Sequence, residues 1–379
     1  MATFEDLLEE WDGEQVVIHR DRESGGWIFI CMHSTQLGPA AGGTRLKVYD
    51  APAGGLRDAM RLSAGMTAKL AVADLGLGGG KAVLAMPKIP QGAERRALLH
   101  RYGDIVSSLG GGFITSSDVG TGESDMDLIA DRTEHVFGRS VARGGAGDPG
   151  PFTAVGVFHG IKASLAHVRG LDDLSGRTVL VQGVGSVGAA LAELLGGDGA
   201  VVLVADVDTE RAQTIASSVG GSAVDAGEAI ATECDVYAPC ALGATLSVES
   251  APELRCRIVA GSANNQLAQP EAADLLRAAG ILYAPDYVIN AGGAIAINFL
   301  ELNGRSQADV DAALVRIGDT LRKIYAEAYT EGITTAAAAD ALAASRLTYR
   351  ARRADRDLRQ HVRAEPTQNM NERRAPQSP

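Results

Sequence analysis

The stretch Thr178-Val179-Leu180-Val181-Gln182-Gly183-Val184-Gly185-Ser186-Val187-Gly188 joins a short apolar run to three glycines with the spacing G-x-G-x-x-G. Its first five residues have the character of a buried parallel strand, and the apolar residues 189–195 that follow predict a helix. In this setting Gly183 makes a tight turn, Gly185 lets the backbone approach a pyrophosphate, and Gly188 lets the helix approach the strand. The free N–H groups at the start of the helix attract phosphates. The stretch therefore predicts a dinucleotide-binding turn, with a purely structural glycine turn as the weaker alternative.

An acidic residue follows the next strand of this pattern. The apolar run 201–205 leads to Asp206, which is 18 residues after Gly188. A carboxylate at this place accepts hydrogen bonds from ribose hydroxyls and repels a 2′-phosphate, so the pattern favours NAD over NADP. Further apolar runs of the same character are separated by helical stretches and cover residues 235–238, 257–261 and 281–284. This alternation is typical of a doubly wound parallel sheet.

The first 150 residues also alternate between strand and helix patterns, which predicts a second α/β domain. The predicted strands are residues 16–19, 27–33, 82–86 and 112–116, and the predicted helices are 4–11, 56–69 and 93–109. Between these two regions lies Gly144-Gly145-Ala146-Gly147-Asp148-Pro149-Gly150-Pro151, which breaks both patterns and is the expected domain junction. Residues 307–344 are alanine-rich and predict helix with a break at Gly332, and the chain from about residue 363 has the composition of a disordered tail.

Composition excludes several classes of function. The 379 residues carry a net charge of -12, which argues against general binding to nucleic acid or to an anionic membrane. The four cysteines form no CxxC motif and no Cys/His cluster, so no metal site is expected and a reduced, cytoplasmic protein is the simplest interpretation. The N-terminus lacks the pattern of a signal peptide, and no apolar run of about 18 residues predicts a membrane span.

Two lysines lie among small or apolar residues. Lys69 ends the segment Met66-Thr67-Ala68-Lys69, and Lys81 ends Gly78-Gly79-Gly80-Lys81. Such a setting indicates desolvation, which lowers the pKa of a lysine and makes it a usable base near neutral pH. Each lysine could instead pair with a carboxylate that only holds the fold. Asp118, which follows a predicted strand, could likewise be a simple turn residue.

Taken together, these segments resemble the amino-acid dehydrogenase family that includes the leucine, valine and phenylalanine dehydrogenases and, more distantly, the glutamate dehydrogenases. The resemblance runs from about residue 15 to 345, and its motifs are closest to those of the phenylalanine enzymes. The motifs that carry it are the two lysine segments, Gly38-Pro39-Ala40-Ala41-Gly42-Gly43-Thr44-Arg45, Asp118-Val119-Gly120-Thr121, Ala238-Pro239-Cys240-Ala241, Ala263-Asn264-Asn265 and Ala284-Pro285-Asp286-Tyr287-Val288-Ile289-Asn290-Ala291-Gly292-Gly293.

The resemblance implies an α/β protein in which an N-terminal substrate domain faces a Rossmann-type NAD domain across a cleft. It implies domain bounds of 1–148 and 149–325, with helices of about 326–345 completing the first domain and a basic tail at 346–379. It implies reversible oxidative deamination of an L-amino acid to a 2-oxo acid, ammonia and NADH. It also implies a homo-oligomer.

The resemblance further implies roles for individual residues. Lys81 would activate the attacking water, Asp118 would shuttle protons to and from the amino group, and Lys69 would bind the substrate carboxylate. The other residues that it places around the substrate are Ala41, Gly42, Gly43, Ser116, Asn264, Asn290, Ala294 and Ile297. The residues that it places around NAD are Thr153, Gly183, Gly185, Ser186, Val187, Gly188, Asp206, Ala238, Cys240, Ala263 and Asn264.

The substrate side chain is expected to be hydrophobic, because no charged residue is evidently placed to pair with it. Branched-chain enzymes of the family carry larger residues where this chain has Ala41 and Ala294, so the pocket is expected to suit phenylalanine. Ser116 acts in the opposite direction, since it could narrow the pocket. Leucine or valine, an unusual amino acid, and a catalytically silent NAD-binding protein remain as alternatives; the joint presence of Lys69, Lys81 and Asp118 speaks against the last.

Overall fold

The structure is a computed structural model that describes residues 4–241 and 243–364. The first half contains helices α1 (Phe4–Trp11), α2 (Pro52–Val72), α3 (Gly92–Ser108) and α4 (Glu123–Ala130), and strands β1 (Gln15–Asp21), β2 (Gly26–Ser34), β3 (Ala40–Val48), β4 (Gly78–Met86) and β5 (Phe113–Ser117). The second half contains α5 (Gly150–Arg169), α6 (Ser186–Gly197), α7 (Thr209–Ser218) and α8 (Glu271–Ala278), and strands β6 (Thr178–Gln182), β7 (Val201–Ala205), β8 (Ser222–Ala223), β9 (Val236–Pro239), β10 (Ile258–Val259) and β11 (Leu282–Tyr283). It ends with α9 (Asp286–Ile289), α10 (Gly292–Ile297), a π-helical turn (Asn298–Leu302), α11 (Gln307–Glu331) and α12 (Thr335–Ala364).

The first sheet has the strand order β1-β2-β4-β3-β5. Strand β2 is antiparallel to β1 and β4, whereas β3 is parallel to β4 and β5. The sequence did not predict β3 as a strand, because its first half is rich in glycine and alanine. Those residues are needed for close contact: a Cβ atom added at Gly42 would lie 1.7 Å from the carbonyl oxygen of Gly80 on β4. Strand β4 also begins earlier than predicted, so Lys81 lies within the strand.

The second sheet is entirely parallel, with the order β11-β10-β9-β6-β7-β8. The predicted strands at 178–182 and 201–205 have the expected bounds, whereas β10 and β11 are shorter than predicted. Helices α5, α6 and α11 pack with this sheet around one apolar core, and the buried hydroxyls of Ser164 and Tyr325 are hydrogen-bonded within it, 2.7 Å apart. The predicted Rossmann-type doubly wound sheet is thereby confirmed.

The C-terminal helix returns to the first half of the molecule. Helix α12 packs against α2, and the guanidinium of Arg346 donates hydrogen bonds to the carbonyl oxygens of Ala71 and Val72 at the end of α2. The expected basic tail at 346–379 therefore begins within α12, which continues to Ala364, and its first residue, Arg346, contacts the body. Residues 365–379 of the expected tail lie outside the described part of the chain. Within the ranges that are described, no helix is long and apolar enough to cross a membrane.

We expect Arg346→Ala to lower the free energy of unfolding by about 1–3 kcal/mol, because two carbonyl oxygens at the end of α2 lose a charged donor. Denaturant unfolding of the full chain measures this. The matched control is Arg316→Ala on α11, an exposed arginine, for which a change within about 0.5 kcal/mol is expected. Equal effects of the two substitutions would contradict a docking role for Arg346.

Candidate active site between the two sheets

A cavity of about 350 Å³ lies between the two halves of the molecule. It is lined by β3, α2, β4 and β5 from the first half and by α5, α9, α10 and the segment around Asn264 from the second. The lining brings together twelve residues that the sequence singled out: Ala41, Gly42, Gly43, Lys69, Lys81, Ser116, Asp118, Thr153, Asn264, Asn290, Ala294 and Ile297. The lining also includes Arg45, Phe137 and Asp286, to which sequence reasoning assigned no role.

Lys81 and Asp118 form a buried ion pair in this cavity. Lys81 is 5% exposed, and its Nζ lies 3.1 Å from Oδ1 of Asp118, which follows β5 directly. Burial lowers the pKa of Lys81, and the charge of Asp118 opposes that shift only in part. The structure thus places Lys81 in the desolvated setting that its glycine-rich sequence indicated, and such a setting favours the uncharged form of a lysine.

Arg45 holds the other oxygen of the same carboxylate. Its Nε lies 2.8 Å from Oδ2 of Asp118, and its Nη1 lies 2.9 Å from Oδ2 of Asp58, which also accepts a hydrogen bond from the hydroxyl of Tyr49. Burial would raise the pKa of Asp118, but the charges of Lys81 and Arg45 together hold it below its usual value. Asp118 is therefore a carboxylate throughout the neutral range. The signal for Arg45 was its place at the end of the glycine-rich motif of β3.

Lys69 lies half-buried near the end of α2, on the wall of the same cavity. Burial lowers its pKa to about 8; the charge of Asp286 opposes this shift, and the charge of Lys81 adds to it. Burial likewise raises the pKa of Asp286, whose carboxylate accepts hydrogen bonds from the backbone N–H groups of Gln266 (2.9 Å) and Tyr287 (2.6 Å). Two lysines that share one cavity favour an anionic ligand.

Polar groups of the second half face these charges. Nδ2 of Asn290 donates to Oδ1 of Asn264 at 2.8 Å and to the carbonyl oxygen of Ser262 at 3.0 Å. Oδ1 of Asn290 is buried and has no hydrogen-bond partner within the described chain. Thr153 accepts a hydrogen bond from the N–H of Gly293 at 3.1 Å, at the start of α10. A free acceptor in a buried site is suited to a donor on a bound ligand.

One end of the cavity is apolar. A buried cluster there consists of Ala41, Leu70, Leu77 and Ile114, with Met66, Leu75, Phe137 and Ala294 packed against it. It contains no charged side chain, so it fits an uncharged apolar group. Ser116 lies beside this end, and a Cβ atom added at Gly138 would lie 2.9 Å from its Oγ.

The glycine-rich turn has the geometry that a dinucleotide needs. Gly183 has a φ of +89°, and a Cβ atom at Gly188 would lie 1.9 Å from the carbonyl oxygen of Gly183, so both positions require glycine. A Cβ atom at Gly185 would meet nothing within 4 Å, which leaves open space at the start of α6. No side chain caps this helix, so its first N–H groups are available to phosphate.

The remaining residues expected at the cofactor differ in their surroundings. Asp206 follows β7, and its carboxylate accepts from the N–H of Val184 at 2.8 Å, which ties the glycine turn to the end of that strand. The hydroxyl of Ser186 donates to the carboxylate of Asp148. Val187 is partly buried against the core; Ala238 is fully buried, Ala263 nearly so, and the thiol of Cys240 is hydrogen-bonded to Ser262. The side chain of Ala238 therefore cannot reach a ligand, whereas the turn and Asp206 fit NAD.

Comparison with known proteins agrees with this geometry. A family model described as "Glu/Leu/Phe/Val dehydrogenase, dimerisation domain" matches residues 16–135, and one described as "Glutamate/Leucine/Phenylalanine/Valine dehydrogenase" matches residues 204–354. Leucine dehydrogenase of Bacillus cereus is 43% identical over 90% of this chain and 93% of its own length, and valine dehydrogenase of Streptomyces albus is 45% identical over 90% and 94%. The crystal structure of L-tryptophan dehydrogenase from Nostoc punctiforme, 37% identical, superposes with a TM-score of 0.79 over 92% of this chain and all of the other.

These matches confirm the resemblance of the motifs and the expected enzyme class. They do not confirm the expected closeness to phenylalanine dehydrogenases, because the relatives above are leucine, valine and tryptophan enzymes. The chain belongs to the Glu/Leu/Phe/Val dehydrogenase family and is an NAD-dependent amino-acid dehydrogenase.

Proposed function

We propose that the cavity carries out the reversible oxidative deamination of a branched-chain L-amino acid, leucine or valine, to its 2-oxo acid. The observation that carries this proposal is the Lys81–Asp118 pair at 3.1 Å, in one cavity with Lys69 and with an uncharged apolar cluster. A protein that only binds NAD has no need of a desolvated lysine paired with a carboxylate. The leucine and valine dehydrogenases that resemble this chain support the branched-chain substrate.

In this proposal Lys69 in its ammonium form pairs with the substrate carboxylate. The free Oδ1 of Asn290 accepts from the amino group, and the side chain enters the apolar end. The backbone of Gly42 and Gly43 lines the pocket between these groups. NAD would supply the acceptor for the hydride that leaves the Cα atom. The glycine turn and Asp206 would hold the adenosine and pyrophosphate portions of NAD, and Thr153 and Asn264, which line the cavity, would hold its nicotinamide end.

Proton transfers fall to Lys81 and Asp118. The lowered pKa of Lys81 makes its uncharged form accessible within the pair. In that form Lys81 removes a proton from the water that adds to the iminium carbon, and the resulting ammonium stabilises the developing oxyanion. Asp118 takes a proton from the substrate ammonium group before the hydride leaves and returns it to the amino nitrogen of the water adduct. As that nitrogen leaves as ammonia, the carboxylate of Asp118 takes the hydroxyl proton and the carbonyl forms; Lys81 and Asp118 then pass their protons to ammonia and to solvent. Arg45 keeps Asp118 ionised between turnovers, so that it releases its proton readily. Walls from both halves of the molecule limit access of bulk water to these steps.

The organisation of the chain is also part of the proposal. Residues 1–148 form the substrate domain, residues 149–325 the NAD domain, and the helices of about 326–345 complete the first. The description of the first matched family model as a dimerisation domain supports a homo-oligomer. The four unpaired cysteines support a cytoplasmic location, where thiols remain reduced.

The phenylalanine preference expected from Ala41 and Ala294 is not supported by the relatives, which favour the branched-chain alternative. The cavity offers a physical reason. Phe137 packs into the same apolar cluster, and Gly138 packs against the hydroxyl of Ser116. The two alanines therefore do not set the width of the pocket alone.

The first test is the ratio of kcat/KM values across Leu, Val, Phe and Trp. We expect leucine or valine to exceed both aromatic substrates by about tenfold, the range that pocket volume can supply. Ala41→Leu with Ala294→Val should lower the ratio for Phe over Leu further, because both changes add volume at the cavity wall. A wild type that prefers Phe or Trp by the same factor would overturn the branched-chain assignment. Absence of NADH formation with every amino acid tested would overturn the proposed oxidative deamination.

We expect Lys81→Met to lower kcat by about 10²–10⁴-fold, because the side chain keeps its length but no longer accepts a proton. Binding of NADH, followed by fluorescence, should be unchanged, since Lys81 does not line the glycine turn. Lys88→Met is the control, because Lys88 pairs with Glu94 on the exposed surface. A kcat for Lys81→Met close to that of the control would remove Lys81 from the mechanism.

The pH dependence of binding tests Lys69. Its pKa of about 8 means that the ammonium form is lost as the pH rises through 8, so affinity for a carboxylate should fall by up to about tenfold per pH unit above that value. The dissociation constant of 4-methylpentanoate, which has no amino group to titrate, is measured from pH 7 to 10. Lys69→Arg stays charged and should lose this dependence. Superimposable pH profiles for wild type and Lys69→Arg would contradict the carboxylate contact.

A further inference from the structure

A buried carboxylate, Glu301, lies outside the cavity but joins two of its walls. Its side chain is 1% exposed, and it belongs to the π-helical turn Asn298–Leu302 that continues α10. Taking a carboxylate out of water is unfavourable unless its oxygens gain partners. The partners of Glu301 are therefore informative about what its burial achieves.

Glu301 binds a loop of the first half of the molecule. Its Oε1 accepts hydrogen bonds from the N–H groups of Gly138 at 3.0 Å and of Ala146 at 2.8 Å. Its Oε2 lies 3.6 Å from Nε of Arg139, an ion pair too long for a hydrogen bond. One oxygen therefore fastens both ends of the loop 138–146, and the second oxygen faces a positive charge.

The near end of this loop is part of the cavity wall. The segment before it runs beside β5: the N–H of Thr115 donates to the carbonyl oxygen of His135 at 3.0 Å, and the N–H of Phe137 donates to that of Thr115 at 2.8 Å. Phe137 lines the apolar end, and Gly138 packs on Ser116. The hydrogen bond from the N–H of Gly138 to Glu301 therefore holds in place the residue that directly follows Phe137.

Glu301, the acceptor of this hydrogen bond, belongs to the segment that forms the other wall of the cavity. Ala294, Ile297 and Asn298 line the cavity from α10 and the first residue of the π-helical turn, within two turns of Glu301. A π-helical turn contains one residue more than an α-helical turn, so it changes the direction in which the following side chains point. Here it is the segment from which Glu301 reaches the loop, while Ala294 and Ile297 face the cavity.

We propose that Glu301 is a positioning residue that sets the width of the substrate side-chain pocket. It holds the wall that carries Phe137 and Ser116 at a defined distance from the wall that carries Ala294 and Ile297. The inference rests on the proposed function, because it takes the apolar end of the cavity as the place of the substrate side chain. Without the carboxylate, the loop is no longer tied to the π-helical turn and the pocket widens.

The test compares selectivity with stability. In Glu301→Ala we expect kcat/KM for Val to fall and the ratio for Phe over Val to rise by about tenfold, chiefly through KM, because the small side chain loses contact with a displaced wall. Glu301→Gln keeps an oxygen that accepts both hydrogen bonds, so its ratio should return toward that of the wild type. The control is Asp21→Ala, which removes another buried carboxylate, one bound to Arg101 and Ser24 on the first sheet. It should lower the melting temperature and leave the ratio unchanged.

An unchanged Phe/Val ratio in Glu301→Ala, with all substrates reduced by one factor as in Asp21→Ala, would overturn the inference. So would a Glu301→Gln ratio altered as strongly as that of Glu301→Ala, because the two N–H bonds would then not be what positions the wall. Should Glu301→Ala fail to fold, Glu301→Asp replaces it: its carboxylate is one methylene shorter, and an unchanged ratio would again overturn the inference. A wild type inactive on all amino acids would instead defeat the proposed function.

Discussion

The buried ion pair between Lys81 and Asp118 is the interaction on which the rest of the site depends. Two charges in a protein interior are stable together only if their geometry is good and their remaining hydrogen-bonding capacity is used. The parallel register of β3 with β4 and β5 meets this requirement, because it sets Thr44 opposite Ala82, the neighbour of Lys81, and opposite Ser117, the neighbour of Asp118. A shift by one residue would turn every side chain of a strand to the other face and separate the pair. The glycines of these strands allow this close approach of backbones.

A second set of contacts relates the two halves of the molecule. Lys69 on α2 lies near Asp286 at the start of α9, Arg346 on α12 binds the end of α2, and Glu301 binds the loop 138–146. Each is a charged group held by oppositely charged groups or by backbone dipoles across the boundary between the halves. Such contacts are directional, so they fix the relative position of the cavity walls more narrowly than apolar packing does. In the proposed function, a substrate carboxylate beside Lys69 would add to this set, because it would pair with an ammonium group that the charge of Lys81 otherwise destabilises.

For the choice of substrate, residue-by-residue reasoning gave an expectation that the leucine and valine dehydrogenase relatives do not support. Ala41 and Ala294 are smaller than their counterparts in branched-chain enzymes, which predicts a wide pocket. The width, however, is a distance between two walls and depends on the backbone that carries each side chain. Phe137, Ser116 and the loop held by Glu301 belong to that backbone arrangement, and none of them follows from the volume of the alanines.

Short stretches of consecutive residues determined much of the fold and of the candidate site. The strand–glycine–helix unit at 178–195, the alternating elements and the lysine and aspartate motifs each lie within a few consecutive residues, so sequence reasoning identified them and the family. Strand β3 was not predicted, because its glycines have a low strand propensity, although close contact with β4 requires them. Arg45, Asp286 and Glu301 received no role because their partners are remote: Arg45 and Asp118 are 73 residues apart, and Glu301 and Gly138 are 163 apart. Only the tertiary structure brings such groups together, because burial and pairing, which decide their charge and position, are properties of the folded chain.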